Sequence, residues 1–171
     1  VEGDEKTLLL KNTQICGGVD ALLEEFPDAR IVTVLRHPNE SVPSHVSLFY
    51  RAWQTHSPEI AMDSPESVEY GNLAVDWYSY LNEKLASLRE EQYVRIRYED
   101  LVADPRRSVE QIYSHFGLSV SETMKARLEA ATRKARAYRS KHEYSLEDYG
   151  LSEQWIEEKL GSLIDEYALR P

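Results

Sequence analysis

A cationic side chain and a hydroxyl stand eight positions apart, across a predicted change from strand to helix. Arg36 follows the apolar run 31–35, and Ser44 lies in the helical pattern that begins after His37 and Pro38. Because α/β proteins hold ligands at the carboxyl ends of their strands, we expect Arg36 at such an edge. A guanidinium and a hydroxyl brought together there would form a pocket for one phosphate group. The alternative is a surface ion pair for Arg36 and no binding role for Ser44.

Alternating strand and helix patterns surround this pair. We predict strands at 7–10, 31–35 and 93–98, the second apolar enough to be buried on both faces. This order favours an α/β fold, a parallel sheet flanked by helices, with a largely helical C-terminal half. We expect one domain over 1–171, with a surface loop at 55–65. Six helices are predicted. The first spans 20–26, the second begins at a cap formed by Asn39 or Ser41, and the third runs from about 65 to 91. The others run from Asp104-Pro105 to Gly117, from Ser121 to about 138, and onward from Ser152.

Composition limits the classes of function. The formal net charge is −10, whereas nucleic-acid-binding domains are usually basic. No apolar run is long enough for a membrane span, and the single Cys16 cannot form an internal disulfide. The five histidines are scattered, so no metal site is predicted. We therefore expect a cytoplasmic protein that binds no nucleic acid.

Six short motifs follow one another along the chain, and none of them is decisive alone. Together they resemble the sulfotransferases that use 3′-phosphoadenosine 5′-phosphosulfate (PAPS), particularly the bacterial-type branch, over nearly the whole chain. The motifs are Leu10-Lys11-Asn12, Asp20-Ala21-Leu22-Leu23, Phe26-Pro27-Asp28-Ala29-Arg30, Arg36-His37-Pro38 with Ser44, Tyr98-Glu99-Asp100-Leu101 with Asp104-Pro105, and His142-Glu143-Tyr144-Ser145-Leu146-Glu147-Asp148-Tyr149-Gly150-Leu151.

The resemblance implies a P-loop NTPase-like fold and transfer of a sulfuryl group from PAPS, a co-substrate, to a hydroxyl or amine acceptor. No metal is implied. In the family, the residues matching Arg36 and Ser44 bind the 3′-phosphate of the nucleotide. The tyrosine matching Tyr98 lies near the adenine in some members, although core packing is an equal alternative for this ring.

The resemblance also implies roles for three further cations. Lys11 would neutralise charge on the transferred group, the main electrostatic task in such a reaction. Its position after the predicted strand 7–10 would place it at the same sheet edge as Arg36, although an exposed lysine without a role is an equal alternative. Arg139 and Lys141, in an irregular segment, could close over the nucleotide phosphates.

The chain departs from the family pattern in two places. The N-terminal loop that wraps the 5′-phosphosulfate is missing, and the glycine pair at 17–18 stands in the wrong position to replace it. We therefore expect a C-terminal portion of a longer protein, inactive alone. Relatives often carry a histidine, suited to act as general base, two or four residues after the lysine, where this chain has Thr13 and Ile15. Three alternatives stay open: a carboxylate on the missing N-terminal helix acts as the base, as in some branches of the family; the base is lost; or His45 or His56 replaces it. The other interpretation of these two histidines is that each is a solvated helix or loop residue.

Two other classes of function fit the same residues. One is a degenerate nucleotide-binding or scaffolding module that has lost its chemistry. The other is a different P-loop-type transferase, such as a kinase, which would bind ATP rather than adenosine 3′,5′-bisphosphate.

Overall fold

Two parallel strands and the helices around them form the fold. The structure, a computed structural model, describes residues 7–137 and 144–169. Strand β1 (Ile31–Leu35) pairs in parallel with β2 (Tyr93–Arg97), so Leu35 lies opposite Arg97 at the carboxyl end. This confirms the predicted parallel sheet with helices. The helices are α1 (Val19–Glu25), α2 (Pro38–His56), α3 (Pro65–Ala86), α4 (Tyr98–Ala103), α5 (Pro105–His115), α6 (Glu122–Ala137) and α7 (Glu153–Glu166), with 3₁₀ turns at Gln14–Gly18, Glu90–Gln92 and Glu147–Tyr149.

Side-chain caps determine where the main helices begin. The backbone N–H of Asn39 donates to Nδ1 of His37 over 3.1 Å, so His37 caps α2. The prediction of Asn39 or Ser41 as the cap was wrong, because Pro38 already occupies the first turn. Ser64 caps α3 and Ser152 caps α7, each accepting from a backbone N–H three residues later.

The principal core lies between helices α2, α3 and α7. Leu151 packs directly against Gly71 of α3, where an added Cβ would lie 2.7 Å from the leucine side chain. Gly150 adopts a φ of 70°, a left-handed conformation that favours glycine and turns the chain toward α7. The buried members of this core are Val42, Val46, Tyr50, Ala74, Val75, Leu146, Tyr149, Leu151, Ile156 and Leu160.

The sheet is less buried than the sequence predicts. Val32 and Val34 of β1 are 39% and 47% exposed, which contradicts the prediction of burial on both faces. Their register partners on β2, Val94 and Ile96, are buried because α4 and α5 contact that strand. A β-branched run therefore forms the strand, while its burial requires a second layer that β1 lacks within the described residues.

The segment 7–10 is not a strand, which is a second correction. Leu8, Leu9 and Leu10 are between 71% and 88% exposed, and the segment pairs with no strand among the described residues. A strand needs a partner for its backbone N–H and C=O groups, and apolar composition alone does not supply one. Lys11 therefore does not lie at the end of a strand.

Two helix boundaries also differ from the prediction. Helix α3 ends at Ala86 rather than near 91, and residues 98–103 form the short helix α4. Glu99 and Asp100 occupy the first turn of α4, where negative charge favours a helix N-terminus. Across the described residues, no helix combines the length and apolar character needed to cross a bilayer.

Candidate functional site

The carboxyl edge of the sheet brings two predicted site residues together. Arg36 directly follows β1, and Tyr98 directly follows β2. Because Leu35 pairs with Arg97, the next residue of each strand emerges at the same end of the sheet. The Cζ atom of Arg36 lies 4.7 Å from the centroid of the Tyr98 ring, a cation–π arrangement. Parallel pairing thus joins two residues that are 62 positions apart in the sequence.

Arg36 also contacts a carboxylate. Its Nε donates to Oε2 of Glu40 over 2.8 Å, and both side chains are partly exposed. The surface ion pair that sequence reasoning kept as an alternative is therefore present. Exposed pairs of this kind are weak, about 0.2–1 kcal/mol, and the Nη groups of Arg36 make no hydrogen bond to any described residue. The guanidinium retains donors for an anion.

A partly buried tyrosine hydrogen-bonds to the backbone at the exit of β1. The hydroxyl of Tyr78 donates to the backbone oxygen of Arg36 over 2.7 Å and lies 2.6 Å from Oγ of Ser41. Burial raises the pKa of Tyr78 to about 12, so the phenol stays protonated and remains a donor near neutral pH. Tyr78 lies on α3, distant in sequence from Arg36, and belongs to no motif, so the sequence pattern did not indicate it.

The other predicted site residues are not joined to Arg36 by hydrogen bonds. Ser44 is half-buried in the second turn of α2, and its hydroxyl makes no hydrogen bond within the described structure. Lys11 is exposed in an irregular segment before the first 3₁₀ turn. Arg139 and Lys141 lie outside the described residues. The ligand roles of all four remain predictions.

The two histidines considered as bases occupy different environments. His45 packs against Phe49 and Trp77, with ring centroids 5.0 and 5.1 Å away. Its Nε2 is buried without a hydrogen-bond partner, and burial lowers the pKa of the imidazole. Nε2 is therefore enclosed by neighbouring side chains, and a role for His45 as a base remains a prediction. His56 is exposed at the other end of α2, about 27 Å from Pro38 at 1.5 Å per residue.

The fold and this edge define an α/β protein with a candidate anion site at the carboxyl ends of parallel strands. Within 7–137 and 144–169, no group of three or more His, Cys, Asp or Glu side chains could hold a metal ion. A model of the sulfotransferase family matches residues 1–122, well over half of the 171-residue chain. The chain therefore belongs to the sulfotransferase family, which confirms the resemblance carried by the motifs.

Mycobacterial sulfotransferases are among the proteins similar to this chain. The chain is 28% identical, over 166 residues, to omega-hydroxy-beta-dihydromenaquinone-9 sulfotransferase Stf3 of Mycobacterium bovis and of Mycobacterium tuberculosis. Each match covers 95% of this chain and 41% of the relative. The chain thus spans about two fifths of the length of the curated relatives it matches.

Two solved structures share the fold. The crystal structure of sulfotransferase STF9 from Mycobacterium avium has a TM-score of 0.76 at 21% identity, covering 94% of this chain and 42% of that one. Sulfotransferase STF1 from Mycobacterium tuberculosis gives 0.61 at 29% identity, with 90% and 39% covered. The P-loop-like sulfotransferase fold predicted from the motifs is confirmed.

Proposed function

We propose that this chain forms the nucleotide-holding part of a sulfotransferase that moves a sulfuryl group from PAPS to a hydroxyl or amine acceptor. The observation that carries the proposal is the guanidinium of Arg36 stacked on Tyr98 at the carboxyl edge of two parallel strands. Family membership supports the reaction class. Cytoplasmic location remains a prediction from the single cysteine.

The chemistry of the edge fits an adenosine 3′-phosphate. The Nη donors of Arg36 suit two phosphate oxygens, and the unpaired hydroxyl of Ser44 offers one further donor from α2. The Tyr98 ring is 36% exposed, which leaves aromatic surface for the adenine. Phosphate binding would compete with Glu40 for Arg36, and a doubly charged phosphate is the stronger partner.

The proposed reaction is a direct in-line displacement. The acceptor oxygen or nitrogen forms a bond to sulfur while the bond from sulfur to the phosphate oxygen breaks, and its electron pair leaves with adenosine 3′,5′-bisphosphate. The acceptor proton passes to a base. Lys11 would neutralise charge near the transferred group, and Arg139 and Lys141 are proposed to act on the nucleotide phosphates.

One observation favours a second candidate, a non-catalytic nucleotide-binding module. Lys11 stands in an exposed, irregular segment instead of at a strand end beside Arg36. Chemistry that depends on Lys11 would then be lost while the phosphate pocket remained. Nucleotide binding is common to both candidates, and sulfuryl transfer measured on the whole enzyme, rather than on this chain alone, separates them.

Isothermal titration calorimetry with adenosine 3′,5′-bisphosphate tests the phosphate pocket. We expect Arg36→Ala to weaken binding about ten- to a hundredfold, since a hydrogen bond to a charged group contributes about 1.5–3 kcal/mol. Arg51→Ala, which removes an exposed arginine of the same helix, is the matched control and should bind like the wild type. Equal binding by wild type and Arg36→Ala would refute the assignment, and tighter binding of ATP would favour a kinase.

A further inference from the structure

A second concave surface lies at the opposite end of α2 from Arg36. This groove, with a volume of about 490 Å³, is bounded by the end of α2, the loop 57–64 and the start of α3. Trp53 stands 15 residues beyond Pro38, about 22 Å along the helix. The groove is thus separate from the proposed phosphate pocket. Its lining residues are Trp53, Ile60, Pro65, Glu66, Glu69 and Tyr70.

Two aromatic rings form a corner in this groove. The ring centroids of Trp53 and Tyr70 lie 4.7 Å apart, with the ring planes at 77°. Tyr70 also packs on Phe49 at 4.6 Å, and the Tyr50 hydroxyl donates to the backbone oxygen of Ile60 over 3.0 Å. The corner and the loop beside it are therefore held in place by the helices. Aromatic faces carry negative electrostatic potential, which attracts cations.

Two carboxylates stand beside the aromatic corner. Glu66 and Glu69 are exposed, lie three residues apart on α3, and so share one face of that helix. Within the residues that the structure describes, neither carboxylate forms an ion pair, and Asn72 Nδ2 donates to Oε1 of Glu69 at 3.4 Å. No described cationic side chain lines the groove. Glu66 lies in the first turn of α3, where the helix N-terminus favours negative charge, so the two carboxylates lack only a cationic side-chain partner among the described residues.

We propose that this groove binds an organic ammonium group carried by a small molecule. The cationic head would face the rings of Trp53 and Tyr70, the two carboxylates would supply the counter-charge, and alkyl groups would contact Ile60 and Pro65. An anion would meet repulsion from Glu66 and Glu69, and a neutral apolar ligand would leave both charges unpaired.

A charged and an uncharged ligand of the same shape provide the test. Choline and its isostere 3,3-dimethyl-1-butanol are titrated into the whole chain, and binding is followed by tryptophan fluorescence and calorimetry. We expect choline to bind at least about tenfold more tightly and to weaken as salt increases. Trp53→Phe should abolish the fluorescence response, and Trp155→Phe, which changes a tryptophan on α7, should preserve it. Equal affinity for the two ligands would overturn the proposal.

Charge-neutral variants separate this site from the phosphate pocket. Glu66→Gln with Glu69→Gln should lower choline affinity about tenfold and leave adenosine 3′,5′-bisphosphate binding unchanged. Glu153→Gln with Glu157→Gln removes two exposed charges from α7 and should change neither. Arg36→Ala should retain choline binding, so failure of one site does not imply failure of the other. Wild-type choline affinity in the Glu66, Glu69 double variant would overturn the proposal.

Discussion

The helical core and strand β1 contain similar apolar residues that differ in how far they are buried. Val42, Val46 and Ile156 are fully buried between α2, α3 and α7. Val32 and Val34 of β1 have the same kind of side chain and remain 39% and 47% exposed. Residue type therefore determines which element forms, whereas burial depends on whether another layer packs on it. The stability of the described chain should accordingly reside in the helices.

The largest effect that distinguishes the two regions should come from cavity formation. Ile156→Ala is expected to lower the free energy of unfolding by about 2–5 kcal/mol, because the site is fully enclosed by neighbouring helices. Val34→Ala, a truncation smaller by one carbon on the exposed face of β1, should cost no more than about 0.5 kcal/mol. Urea unfolding followed by circular dichroism measures both. Similar losses for the two variants would remove the distinction between core and sheet edge.

A smaller loss of unfolding free energy should follow from removing the hydrogen bond between α3 and the residue after β1. Tyr78→Phe removes the donor to the backbone oxygen of Arg36 and a partner of Ser41, and should cost about 1–3 kcal/mol. Tyr80→Phe, which loses a more exposed hydrogen bond to Asp20, should cost less. Urea midpoints of the two variants, measured side by side, provide the comparison. A larger loss for Tyr80→Phe would contradict the role assigned to Tyr78.

The smallest expected effect concerns pH. Burial lowers the pKa of His45 in the folded state, so below about pH 6.5 the unfolded chain binds more protons at this site. The contribution of His45 to stability is thus complete above that pH and declines as the pH falls. His45→Gln should flatten the decline in the unfolding free energy between pH 7 and pH 5. His56→Gln, at the exposed end of α2, is the control, and an unchanged slope in His45→Gln would contradict the prediction.

Part of the candidate site could be predicted from local patterns. The strand pattern predicted Arg36 at the carboxyl end of β1, whereas Tyr98 was indicated only by the family resemblance, and its contact with Arg36 is set by the pairing of β1 with β2. Tyr78 could not be found in this way. Its hydroxyl reaches Arg36 across 42 positions, and no spacing in the sequence encodes that contact. The strand at 7–10 failed for a related reason, because its apolar pattern does not specify a pairing partner.

The sequence by itself determined the family, the parallel α/β pattern and the position of Arg36 directly after β1. Those features depend on periodicity, turn residues and motif order, which are local properties. Only the tertiary structure decided that one face of β1 is exposed and that the Tyr78 hydroxyl donates to the backbone oxygen of Arg36. It also decided that Trp53 and Tyr70 contact each other in a groove beside two carboxylates. Each of these depends on residues far apart in sequence, whose proximity is set by packing of whole helices.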